Sequence, residues 1–429
     1  NIGAASEKEL MSVSKKVCSV LKNRGFNLRK FASNSINFLS SLAPELRAIN
    51  KNQISSVENS EVSVLGLTWN PSLDEISVRA DLSEYITVEN VSRRVALSAI
   101  AKTFDPLGLL APVLIKGKLL LQEFWREKKD WDSLTSDELN DQFQKYVEET
   151  ILLNNIKIPR YIGANKIQSL FAFCDASEKA CCAIVYARHR NYDGNYYCKL
   201  LCAKTRVAPV KGSGESTIPR LELQAAFLLA NLVKRVSTDL EINVDNIFAF
   251  SDSTTVLCWL SKDPNEWKTF VKNRSEKILK LLPFNCWRYV KGTDNPADKA
   301  TRGLSSEEFE QFHNLWFEGP EFAKLPNADS FYPVPDEQTQ HCLEKRRNAK
   351  KTFLCSKKTS LITWFEKFSS FTSLINCVAR LVRVVKRFKT KIIDKGVFSS
   401  DELSNAQNII IRAYQYRDFG CEIERLNRG

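Results

Sequence analysis

The spacing of apolar positions changes character several times along the chain, and the changes mark out its elements. Leu10, Val13, Val17 and Leu21 recur at helical spacing between Lys8 and Leu21, and Arg24-Gly25-Phe26 reads as a helix stop. Val62 to Trp69 alternates and is rich in β-branched residues. The turn Asn70-Pro71-Ser72 and a return strand from Glu75 to Val78 complete an expected hairpin. From Val91 the spacing becomes helical again, over Ser92 to Phe104, Leu114 to Glu127 and Asp137 to Leu152, with Pro106 and Pro112 breaking the first two apart.

Between Ile167 and Gly303 strand and helix patterns alternate. Ile167 to Cys174, Ala180 to Arg188 and Tyr196 to Ala203 read as three strands, the second and third joined across Asp193-Gly194, a tight-turn dipeptide. A helix follows from Pro219 to Val236, capped by Thr217, with Leu221, Ala225, Leu228, Leu229 and Leu232 on one face. Next come a strand at Ile247 to Phe250, helices at Ser253 to Leu260 and Lys268 to Leu281, a strand at Cys286 to Val290 and a helix near Ala297. This β-β-β-α-β-α-α-β-α order specifies an α/β domain. Beyond Gly303 the chain turns polar, with a basic stretch at Glu344 to Lys358, and two helical segments, Leu361 to Lys389 and Ser400 to Tyr416, close it. Arg383 to Lys391 reads either as a solvated helix face, the favoured reading, or as a strip that lies on phosphates.

Composition adds a charge argument. Among 429 residues, 62 Lys and Arg stand against 50 Asp and Glu, a net charge of +12, which favours polyanionic partners without demanding them. Twelve cysteines sit within apolar runs such as Phe173-Cys174 and Cys181-Cys182-Ala183-Ile184, as buried, reduced thiols do. Cys198 and Cys202 lack a second ligand pair at zinc-finger spacing. The longest apolar stretches, Leu107 to Ile115 and Ala225 to Val233, are about half the length a bilayer requires. The start at Asn1, without methionine or targeting pattern, suggests a piece of something larger.

The chemistry is carried by acids. Two apolar strands, Phe171 to Asp175 and Ile247 to Asp252, each close on an aspartate, a costly arrangement unless a cation or hydrogen bonds compensate the charge. Glu222 lies in the first turn of the helix that must cover the sheet, and Asp298 lies in the opening turn of the helix begun by Asn295-Pro296. Four carboxylates from four elements suit two hard divalent ions, one activating water and the other steadying a leaving oxygen. Taken singly, Asp175 and Asp252 also read as caps and Glu222 as a surface residue.

The motifs Phe173-Cys174-Asp175-Ala176-Ser177, Pro219-Arg220-Leu221-Glu222-Leu223-Gln224-Ala225, Ser251-Asp252-Ser253 and Asn295-Pro296-Ala297-Asp298 resemble the ribonuclease H fold over about a third of the chain. The blocks Phe104-Asp105-Pro106-Leu107-Gly108-Leu109-Leu110-Ala111-Pro112 and Trp267-Lys268-Thr269-Phe270-Val271-Lys272-Asn273-Arg274 are similar to Bel/Pao retrotransposon polyproteins and extend the resemblance over most of it. The resemblance implies a ribonuclease H-like α/β fold, a mixed five-stranded sheet with flanking helices, preceded by a helical connection and followed by a helical tail. It divides the chain into the end of a reverse transcriptase palm (1–80), a helical thumb and connection (81–165), a ribonuclease H domain (166–303), a polar basic linker (304–360) and a helical spacer before an integrase (361–429).

The implied activity is two-metal hydrolysis of the RNA strand of RNA·DNA hybrids with Mg2+ or Mn2+. Asp175 is expected to bridge the ions, Asp252 to help hold the one that activates water, Glu222 to contact the other and Asp298 to complete the set. Ser177 is expected at the RNA 2′-hydroxyl, and Lys272, Asn273 and Arg274 at phosphates. The implied partners are the hybrid and the rest of the polyprotein, with no membrane, in cytoplasmic virus-like particles or reverse-transcription complexes, the nucleus being an alternative. One departure stands out: the histidine that many ribonucleases H place nine or ten residues before the last aspartate is absent, Trp287-Arg288-Tyr289-Val290 standing there, so slower turnover is expected with Tyr289 as a partial substitute. His189, His313 and His341 lie elsewhere. A rival from another class is a catalytically degenerate binding or scaffolding segment. Polymerase chemistry lacks any adjacent Asp-Asp pair, integrase chemistry lacks a His/Cys module, and an aspartic peptidase lacks its Asp-Ser/Thr-Gly turn, since Asp252-Ser253-Thr254 has no glycine.

Overall fold

In a computed structural model of the chain, residues 3–4, 6–48, 61–127, 129–162, 167–191, 193–209, 217–328, 361–390 and 396–428 are described. They divide into two compact units, with the boundary at Arg347.

The first unit opens with α1 (Glu7–Lys22), capped where Ser6 Oγ accepts the Glu9 amide, and the short α2 (Ile36–Ser40). Three strands follow, β1 (Val62–Val64), β2 (Leu67–Asn70) and β3 (Glu75–Val78), all antiparallel neighbours. The run expected as one strand from Val62 to Trp69 is two, because Leu65 at φ 50° and Gly66 at φ 83° turn the chain within it. The turn after β2 is held by Asn70 Oδ1, which accepts the Ser72 and Leu73 amides at 3.0 and 3.2 Å.

Helices α3 (Arg93–Lys102), α4 (Ala111–Arg126) and α5 (Asp137–Leu152) pack through Ala96, Ala99, Leu120, Phe124, Phe143 and Val147. Pro112 sits in the first turn of α4, where its missing amide costs no hydrogen bond, so it starts the helix rather than breaking it. β4 (Ile158–Pro159) then joins β3 and completes a small four-stranded sheet.

The central sheet is built from β5 (Ser169–Ala176), β6 (Ala180–Arg190), β7 (Tyr196–Val207), β8 (Ile247–Ser251) and β9 (Trp287–Tyr289) in the order β7-β6-β5-β8-β9. β5, β6 and β7 form an antiparallel meander, whereas β8 and β9 run parallel to β5. Every residue of β5 is buried, as suits a central strand covered on both faces. Leu170, Ala172 and Cys174 face α6 (Ile218–Asp239), α7 (Thr254–Ser261) and α8 (Thr269–Leu281). Phe171 and Phe173 face the opposite layer, which contains the start of α4, α9 (Pro296–Arg302), α10 (Ser306–Gln311) and α11 (His313–Glu318). This is the mixed five-stranded sheet with flanking helices expected from the sequence.

The expected polar linker from residue 304 differs from the structure. Phe309, Trp316, Phe317 and Phe322 are buried between the charged positions and cover the sheet, and Trp316 Nε1 donates to the Leu109 carbonyl at 2.7 Å. The charge of this stretch is on its outer face. The basic stretch at 344–358 lies outside the described residues.

Among the described residues the cysteines are free thiols. Cys198 and Cys202 are parted by the irregularity opposite Val185 and Tyr186, so that one joins each core face instead of both sharing one. In the second unit, α12 (Leu361–Phe365), α13 (Phe371–Thr390) and α14 (Ser400–Arg428, kinked at Phe419) pack around Phe365, Leu374, Val378 and Ile410. Arg383 is engaged there by the Glu402 carboxylate and the Gly396 and Val397 carbonyls. No helix among the described residues is long and apolar enough to cross a membrane.

Candidate active site

The site starts from strand register. In the parallel pair β5 and β8, the last matched residues are Cys174 and Ser251, so the next two, Asp175 and Asp252, leave adjacent strands side by side. Strands of a sheet lie about 4.8 Å apart, close enough for two carboxylates to repel. Alternation places Asp175 on the face of Phe171 and Phe173, toward α9.

α9 is fixed to that strand end at both of its own ends. Asn295, 2% exposed, caps it by accepting the Ala297 amide at 3.1 Å and donates to the Cys174 carbonyl at 3.1 Å. Thr301, fully buried, has its hydroxyl 2.9 Å from Asp175 Oδ2 and 2.8 Å from the Asp298 carbonyl oxygen, with one proton to give to either. Asp298, partly buried in the first turn of α9, accepts from Arg302 at 2.7 Å. Glu222 arrives from α6 on the other side of the sheet, where the Ser253 hydroxyl donates to Glu222 Oε2 at 2.6 Å while accepting the Val256 amide at the start of α7.

The four acids share one electrostatic environment. Burial raises the Asp252 carboxyl to about 7, reinforced by the charges of Asp175, Glu222 and Asp298. Asp175 is also raised, chiefly by burial and further by Asp298, against the lowering effect of its Thr301 hydrogen bond. An array of oxygen donors held near one another at this cost fits a hard divalent cation in chemistry and in charge. In the arrangement seen, no three His, Cys, Asp or Glu side chains among the described residues group closely enough to hold one ion. Asp175, Glu222 and Asp298 are turned to protein donors instead.

The expected substrate residues lie in two places. The Ser177 hydroxyl donates to the Thr301 carbonyl at 2.9 Å and accepts the Lys179 and Ala180 amides, so it closes the β5–β6 turn beside Asp175. Lys272, Asn273 and Arg274 are on α8. Lys272 donates to Asn265 at 2.7 Å, Asn273 is exposed, and the Arg274 guanidinium stacks 3.6 Å from the Phe270 ring centroid with Arg220 over the same ring. Tyr289 pairs with Ser251 and packs into the core on the α6 side. His189 is buried against Tyr197 and His313 packs on Phe317, both away from the acids' hydrogen-bond network, while His341 lies outside the described residues. Thr301 and Ser253, which hold Asp175 and Glu222, were not singled out from sequence. The only signal for Thr301 is a hydroxyl residue three positions after Asp298, on the same face of α9.

Residues 92–253 match the family model of the Pao retrotransposon-like RNaseH-like domain, a stretch that contains Asp175, Glu222 and Asp252 and ends before Asp298. No curated protein matches the chain. Among solved structures, it is similar to a foamy viral protease-reverse transcriptase dRH in complex with double-stranded DNA, at 12% identity and a TM-score of 0.35, over 54% of this chain and 37% of that one. It is also similar to a foamy viral protease-reverse transcriptase in complex with dsDNA, at 10% identity and a TM-score of 0.33, over 54% of this chain and 44% of that one. The matches therefore span less than half the length of those two chains.

Proposed function

We propose that the chain is a ribonuclease H that hydrolyses the RNA strand of RNA·DNA hybrids with two Mg2+ or Mn2+ ions, and that Asp175, Glu222, Asp252 and Asp298 hold them, a reading supported by the match of residues 92–253 to the Pao retrotransposon-like RNaseH-like domain. The observation that carries the reading is the placement of Asp175 and Asp252 at the ends of neighbouring parallel strands, with a carboxyl at about 7 where an exposed aspartate would be near 4. Scaffolding needs no such strain, whereas a bound cation relieves it.

Divalent ions held there supply Lewis-acid stabilisation of the reacting phosphodiester and a more acidic water. The protein's part is to position and to exclude. Thr301 and Asn295 fix α9 to β5, and Ser253 fixes the Glu222 carboxylate to the start of α7. Within the set, Asp175 would serve both ions, Asp252 would help hold the one that activates water, Glu222 would contact the other and Asp298 would complete the set. Lys272, Asn273 and Arg274 are proposed to meet phosphates along α8, and Ser177 to shape the turn next to the RNA strand.

A second reading, a segment that binds hybrids without cutting them, is favoured by the protein donors that occupy Asp175, Glu222 and Asp298. The two part on one assay. Incubating the chain with a labelled hybrid and Mg2+ gives RNA fragments under the first reading and an intact, retained hybrid under the second, and Asp175→Asn removes cutting only under the first.

A further inference from the structure

The block Phe104 to Pro112 takes no part in the proposed nuclease site, yet it builds one wall of a large cavity. The Asp105 carboxylate accepts the Leu109 and Leu110 amides at 2.9 and 2.8 Å, and the Leu107 carbonyl accepts the Ala203 amide at 2.7 Å. The block is thereby fixed against β7. Leu228, Leu232 and Val236 of α6 close the far side, leaving about 800 Å3 between the helical segment and the sheet. Sites for small organic ligands fall in the same range of volumes.

Tyr146 and Thr103 contribute to this lining with their hydroxyl oxygens enclosed by protein. Tyr146 is only 3% exposed, and its ring reaches the cavity over Gly117, where an added Cβ would stand 2.6 Å from the ring. The charges around the opening are unequal. Lys118, Lys204, Arg235 and Asp239 line it, while the Asp105 carboxylate is engaged by amides and Lys118 Nζ donates to Thr205 Oγ1 at 3.1 Å.

We propose that this cavity binds a small organic phosphate of mononucleotide size, its phosphate held by Lys204, Arg235 and Lys118 and its body against Phe104 and Tyr146. The site is separate from the nuclease acids, none of which lines it.

The test is equilibrium binding of a fluorescent ATP analogue to the full chain in EDTA, which removes metal-dependent binding at the acids. Saturable binding is expected, equal in Asp252→Asn and weakened by about tenfold or more in Lys204→Ala/Arg235→Ala. Lys204 and Arg235 are exposed, so folding is preserved in the double variant. Unlabelled AMP should compete far better than inorganic phosphate. No saturable binding, binding unchanged in the double variant, loss in Asp252→Asn, or equal competition by phosphate alone overturns the proposal. None of these outcomes bears on hybrid cleavage.

Discussion

The Thr301 hydroxyl stands 2.9 Å from Asp175 Oδ2, a link between residues 126 positions apart that ties the helix bearing Asp298 to the strand bearing Asp175. It is made in a fully buried position, where its loss cannot be made good by water.

Thr301→Val keeps the side chain's volume and removes that proton. Stability should fall by about 1 to 2 kcal/mol, read from the urea midpoint, and metal-dependent hybrid cleavage should fall several-fold, with Thr301→Ser restoring most of both. An unchanged midpoint and rate in the valine variant would show the contact to be incidental.

Asp252 gives the protein a pH-dependent stability in the absence of divalent ions. Its carboxyl titrates at about 7 in the folded chain and near 4 in the unfolded one, so between these values the folded state binds more protons. As far as this group is concerned, stability should therefore be greatest below about pH 4, decline as pH rises through 7 and then level off. The loss is on the order of a few kcal/mol at most. In chelator, Asp252→Asn should flatten that decline relative to the parent; parallel curves would remove the carboxyl from the account.

Gly108 is needed where it is. At φ +71° it faces Ala203 so closely that a Cβ would lie 2.0 Å from the carbonyl oxygen, which belongs to the backbone and cannot swing away. Gly108→Ala should cost more than about 2 kcal/mol and loosen the start of α4 from β7, detectable as faster amide exchange at Leu107 to Leu110. Normal exchange in a stable variant would contradict this.

The residues after Gly303 belong to the sheet's cover, so where the chain is cut should matter. Removing everything after 328 should leave a soluble first unit, whereas cutting after 303 uncovers the surface filled by Phe309, Trp316 and Phe322 and should yield an aggregating protein. Equal solubility and melting of the two truncations would argue against that packing.

Much of this architecture was legible in the sequence, for reasons visible at particular residues. The order of strands and helices from Ser169 to Arg302 follows from apolar period, and Asp137–Leu152 was read to the residue because its buried face is regular and its ends are polar. Leu65-Gly66 was missed because a turn inside a β-branched run leaves the alternation on either side intact. The cover from Ser306 to Lys324 was missed because its aromatic residues are interspersed with Glu and Lys, and average polarity hid the buried stripe. Asp175 and Asp252 stand out in the sequence because carboxylates closing apolar strands are conspicuous. Thr301 and Ser253 were not, because a hydroxyl acquires its role only from a partner far away in sequence.

The most direct measurement is the rate of cleavage of a labelled RNA·DNA hybrid by the purified chain in Mg2+, beside Asp252→Asn at equal folded concentration. The parent should cut the RNA strand only when the metal is present, and the asparagine variant should be slower by about a hundredfold or more while still retaining the hybrid. A parent that binds the hybrid but never cuts it, or a variant that cuts as fast as the parent, would contradict the assignment of Asp252 and its neighbours to metal-dependent hydrolysis.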